Sequence, residues 1–65
     1  MTVPPEFWTE AREREFFDVR HRLELSAGEL PAEADRIIAR DFEDDPHEQI
    51  DVRVLRIKAQ LSRAG

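Results

Sequence analysis

The chain has no cysteine and no tyrosine, which excludes disulfide staples and thiolate zinc sites and leaves neither residue for nucleophilic chemistry. Its only glycines are Gly28 and Gly65, so it has no glycine-rich loop to cradle a phosphate. No apolar run approaches the roughly 20 residues that span a bilayer, and no cationic segment leads into an apolar stretch near Met1. These absences set the expectation of a cytoplasmic protein with no membrane partner. At 65 residues the sequence makes a single small domain, residues 1–65. A domain of that size buries only about 60% of its unfolded surface. With disulfides and thiolate metal sites gone, oligomerisation or a second protein is the expected source of added stability.

What the chain does have is charge, unevenly spread. Thirteen Asp and Glu stand against six Arg up to Asp45, and two acids against four Lys and Arg thereafter, for a net charge of −5. An acidic chain has no general attraction for nucleic acid, whose binding is dominated by phosphate contacts, so a nucleic-acid partner is not expected. The local exception is Arg53, Arg56, Lys58 and Arg63. Their ordinary role is to flank an apolar seam and favour the negative end of a helix; phosphate or an acidic partner is the alternative.

These cations lie in DPHEQIDVRVLRIKAQLSRA, from Asp45 to Ala64. Asp45 as N-cap, Pro46 at the first helical position and Glu48 as the reaching-back acid spell a capping box. Ile50, Val54, Ile57, Leu61 and Ala64 then recur at helical spacing and form one stripe about 80° wide. Val52, Leu55 and Ala59 form a second strip on the opposite side. A helix apolar on two sides needs cover on both, from its own chain and from a partner.

Ahead of it, residues 1–4 read as an arm, and good helix formers run over residues 5–27 until Gly28 stops them as a C-cap. Trp8, Phe16, Val19, Leu23 and Ala27 share one side of that helix, with Glu10–Arg14, Asp18–Arg22 and Arg20–Glu24 pairs four apart on its wet face. The same segment also alternates: Phe17, Val19, His21, Leu23 and Leu25 are interleaved with charges, the period of a half-buried strand. With Ile50, Val52 and Val54 as a second strand, the alternative fold is a small α+β unit of βαβ type. A second helix is read over residues 31–43, opened by Pro31 and carrying Leu30, Ala34, Ile37, Ile38 and Phe42 on its apolar face. Asp41 falls in the middle of that face. An end-of-helix acid turned to water is the ordinary reading; pairing with an Arg across the bundle is the other.

Phe17, Arg20, Leu23, Gly28, Leu30, Pro31, Glu33, Ala34 and Asp35 match a pattern, and residues 17–35 resemble a helix, glycine turn, helix hairpin of phage and plasmid replication proteins, including primase-like ones. The match departs at Val19, where an acid is usual, at His21 and Arg22, where alanines are usual, and at Glu29, which replaces a second glycine. The resemblance implies helices and a mobile-element origin, and it carries no catalytic residue.

Chemistry finds little to work with. His21 reads as an exposed helix residue, and His47 with Glu43, Asp44, Asp45 and Glu48 has neither a calcium-loop nor a His-Glu-x-x-His spacing. Ser26 and Ser62 have no base at a local spacing. So small a chain leaves little room for a water-excluding pocket. No catalytic residue, metal, cofactor or small-molecule ligand is therefore expected. The sequence reads as an all-α, three-helix bundle, with helices near residues 5–27, 31–43 and 46–64. It is expected to form a homodimer, to bind another protein, or both, as a regulator, adaptor or inhibitor. The expected interface is Ile50, Val52, Leu55, Ile57, Ala59 and Leu61, with Arg53, Arg56, Lys58, Arg63, Glu43, Asp44 and Asp45 as electrostatic contacts. The alternatives are an acidic mimic of nucleic acid, in the manner of anti-CRISPR inhibitors, and a nucleic-acid accessory protein using the basic end.

Overall fold

Helix periodicity prevails over strand alternation throughout the chain. The computed structural model describes residues 5–64, and within them a 3₁₀ turn, Pro5–Phe7, leads to α1 (Glu10–Ala27), α2 (Ala34–Asp44) and α3 (Ile50–Ala64). Each helix packs on both others, so the fold is an all-α three-helix bundle. There is no strand among the described residues, which removes the βαβ alternative. The expected arm, residues 1–4, and the Ala64 side chain lie outside the description.

In α1, Thr9 accepts a hydrogen bond from the Arg12 backbone N–H at 3.2 Å, and Glu10 and Glu13 sit in the first turn, where carboxylates favour the positive helix end. The helix therefore starts at Glu10 and not at residue 5. Two residues ahead of the helix, Pro5–Phe7 form the separate 3₁₀ turn, which the Arg12 guanidinium pins by donating to the Phe7 carbonyl at 2.9 Å and stacking on its ring at 4.3 Å. The helix ends where Gly28, at φ +79°, donates its N–H to the Glu24 carbonyl at 2.8 Å. Side chains rarely tolerate that φ, and glycine does so freely.

Val19 and Leu23 from α1, Ala34, Ile38 and Phe42 from α2, and Ile57 from α3 are buried. Each large aliphatic or aromatic side chain in this group stabilises the fold by about 1.5–3 kcal/mol relative to exposure. Trp8 and Phe16 stack edge-on at 6.0 Å, and Trp8 reaches Phe42 at 5.9 Å. Arg20 meets Asp35 while Phe16 meets Phe42, so α1 and α2 run antiparallel. Of the residues expected on the buried side of α1, only Ala27 is exposed.

The other two helix starts differ from expectation as well. Pro31 opens an i→i+3 turn, its carbonyl accepting from Ala34 N–H at 3.0 Å, and α-helix begins only at Ala34. The capping box at Asp45, Pro46 and Glu48 does not form. Asp45 instead closes α2, its N–H donating to the Asp41 carbonyl at 3.0 Å, and Glu48 Oε1 accepts from the Gln49 N–H at 3.1 Å. The first α3 bond is Arg53 N–H to the Gln49 carbonyl. The carbonyls of Asp45 and Glu48, which a helix starting at Pro46 would use internally, are both taken by the Arg53 side chain, at 2.8 and 3.1 Å.

Candidate functional site

The two sides of α3 have separate tasks. Its inner side is built on Ile57, wholly buried, with Ile50, Val54 and Leu61 half-buried against the core. Ile50, Ile57 and Leu61 thus cover the chain's own core, and Ile57 in particular is not available to a partner. This corrects the place of Ile57 in the expected interface, while Ile50 and Leu61 keep part of their surface outside the core. Val52, Leu55 and Ala59 do face solvent, with Leu55 at 68% and Val52 at 44% exposure.

Arg53 is the largest departure from the sequence reading. Expected as a surface cation, it is wholly buried. Its guanidinium donates to Asp41 Oδ1 at 2.5 Å, lies 4.0 Å over the Phe42 ring and holds the two loop carbonyls described above. Nε alone has no partner. Asp41 is likewise buried, and so is not the solvated end-of-helix acid of the ordinary reading. It pairs across the bundle with Arg53 and with Arg56, whose Nε and Nη2 lie 2.7 and 2.8 Å from its two oxygens. These hydrogen bonds, followed by the charges of Asp41, Glu48 and Asp45, raise the pKa of Arg56 above its ordinary value. Fixing both oxygens of a buried acid with two guanidinium groups offsets its desolvation. Arg53 and Arg56 are therefore internal braces.

Of the remaining electrostatic residues, Lys58 and Arg63 are exposed with no ion pair among the described residues, Glu43 is exposed, and Asp44 sits 4.0 Å from Arg40. Asp45 and Glu48 lie 4.0 and 3.8 Å from Arg56. Arg56 alone of the α3 cations meets these acids, and Lys58 and Arg63 stand apart from them.

Two features of the surface were not singled out in the sequence. Phe17 and Leu25 on α1 are 62% and 74% exposed. Periodicity carries the signal, since both fall off the stripe of Val19 and Leu23 once the segment is helical. Beside Leu25, Arg22 donates to Asp51 of α3 at 2.7 Å and reaches Asp18 at 3.4 Å. The Asp51 bond, then the Asp18 charge, raises the pKa of Arg22. Leu25 is three residues from Arg22 and Leu55 four from Asp51, so the two leucines stand on the faces that this bridge joins. Phe17 edges a separate shallow groove with Trp8, Phe16, Glu13 and Ala39.

No three His, Asp or Glu side chains converge on a metal-binding geometry among the described residues, and no described helix is long and apolar enough to cross a membrane. No family model, curated protein or solved structure matches the chain.

Proposed function

We propose that the chain is a small non-enzymatic protein-binding module, acting as a regulator, adaptor or inhibitor through the outer side of α3. The observation that carries this reading is Leu55, 68% exposed beside Val52 and Ala59 on a helix whose opposite side already completes the core. Apolar residues aligned on one exposed helix face are the anchors of helix-to-protein recognition. The charge distribution favours protein over nucleic acid. Arg53 and Arg56 brace Asp41, which reduces the outward cations of α3 to Lys58 and Arg63. On α2, Arg36 and Arg40 are followed by Glu43 and Asp44, so that helix offers no surface of one sign for mimicry. A cytoplasmic setting and a phage or plasmid origin belong to the same proposal, the origin resting on the hairpin resemblance alone.

A photo-crosslinking residue placed at Leu55, with a second at Arg36 as control, tests the reading in cells that make the protein. Protein adducts at position 55 and not at 36 are expected. Equal adducts at both positions, or none at 55, would overturn it.

A further inference from the structure

We infer that a second copy of this chain covers the α3 strip, and that it does so with α1: the outer face of α1 in one protomer packs on the outer face of α3 in the other. The inference rests on the binding role proposed for α3 and names its occupant.

All four large hydrophobic side chains exposed among the described residues lie on these two helices, Phe17 and Leu25 on α1 and Val52 and Leu55 on α3. α2 contributes none. The flanks of the two faces carry opposite charge. Around Phe17 and Leu25 the outer face of α1 presents Glu10, Glu13, Asp18 and Glu24 against Arg14, with Arg20 and Arg22 at its margins held by Glu24, Asp35, Asp18 and Asp51. Around Leu55 and Ala59 the outer face of α3 presents Lys58 and Arg63, against Asp51, which already serves Arg22. Two α1 faces would bring acid to acid, and two α3 faces base to base. Only α1 on α3 sets apolar residues on apolar residues with unlike charges at the rim.

The arrangement also closes. Arg22 and Asp51 tie α1 to α3 as direct neighbours within one chain, with Leu25 and Leu55 beside that tie. A two-fold axis then makes the α1-to-α3 contact twice, which doubles the buried surface and leaves no open end.

Sedimentation equilibrium with two charge-reversed variants tests the pairing. One carries Lys58→Glu and Arg63→Glu, the other Glu13→Lys and Glu24→Lys; Glu24 holds only Arg20, which keeps Asp35. Wild-type protein is expected to be dimeric at micromolar concentration. Each variant alone should associate about 100-fold more weakly, because like charges then face each other. An equimolar mixture of the two should recover dimer, since in the mixed pair the two altered faces meet each other and the two native faces meet each other. The recovery also shows that both variants fold. A mixture that stays monomeric, or an α1 variant that dimerises alone as wild type does, would overturn the pairing. A wild-type monomer that still gives adducts at position 55 would overturn self-pairing while leaving the binding role of α3 in place.

Discussion

Arg53 and Asp41, separated by 12 residues, meet at 2.5 Å with side chains that are 0% and 5% exposed. The pair joins α2 to α3 across the part of the bundle where both helices would otherwise present only apolar side chains. Its geometry explains why a 65-residue chain tolerates a buried charge. Every Asp41 oxygen has a guanidinium partner, and Arg53 Nη2 also donates to the Asp45 and Glu48 carbonyls.

Removing one partner of this pair should be severe. Arg53→Met leaves Asp41 to Arg56 alone, the Glu48 carbonyl without a donor and the Asp45 carbonyl with only the Glu48 N–H at 3.3 Å, at an expected cost of about 3–5 kcal/mol. That is comparable to the whole stability of a domain this small, roughly 3–5 kcal/mol. The variant should show lost helical circular dichroism at room temperature, whereas Asp41→Asn, which keeps an acceptor for Arg53, should stay folded with a lowered urea midpoint.

The two sides of α3 should respond oppositely to substitution. Ile57→Ala opens a cavity in the core and is expected to cost about 2–5 kcal/mol, as for other large-to-small core changes. Leu55→Glu, on the exposed strip, should change the stability of the monomer by no more than about 0.5 kcal/mol at protein concentrations too low for self-association. Urea unfolding of the two variants side by side checks the division.

Gly28→Ala tests backbone strain without steric clash. A methyl group at this position meets no atom within 4 Å, so only the φ of +79° opposes it. A cost of about 1–3 kcal/mol is expected from holding a side-chain-bearing residue in that region. In a domain this size each kcal/mol lowers the melting temperature by about 4–8 °C, which calorimetry or thermal circular dichroism resolves.

The Arg22–Asp51 bridge lies in solvent and should behave as a surface pair. Asp51→Asn should shift the thermal midpoint slightly in low salt, and the difference from wild type should vanish as salt screens the charges. The raised pKa values of Arg22 and Arg56 mean that their contribution is complete below the ordinary arginine value and is lost only as pH climbs through the raised one. Titration from neutral pH to pH values well below that range should therefore reveal no loss from the arginine side of either pair.

Local periodicity was enough to read the helices, the core residues Val19, Leu23, Ile38, Phe42 and Ile57, and the exposed strip of Val52, Leu55 and Ala59. All of these depend on spacing within one element. Arg53 was harder to place because its burial depends on Asp41 in another helix, and neither residue alone reads as buried. The joint signal was present: an acid in the middle of the α2 apolar face and an arginine at the margin of the α3 stripe. Helix starts were misread for a related reason. Asp45, Pro46 and Glu48 have the residue types of a capping box, but the Arg53 side chain competes for the Asp45 and Glu48 carbonyls and prevails. At Thr9 the signal was local and plain, a capping hydroxyl followed by Glu10.

The hold of Arg53 on the Asp45 and Glu48 carbonyls makes the α2–α3 connection unlike the α1–α2 turn. Residues 45–48 are fastened by a side chain that belongs to the next helix, so that connection acquires its shape only once the first turn of α3 exists. Lengthening the chain there would pull the carbonyls away from the guanidinium and expose a buried cation. In the stretch from Gly28 to Glu33 only Leu30 packs against the core, and the other residues are exposed. That stretch is the place where extra residues, a tag or new termini can be introduced with the bundle left intact.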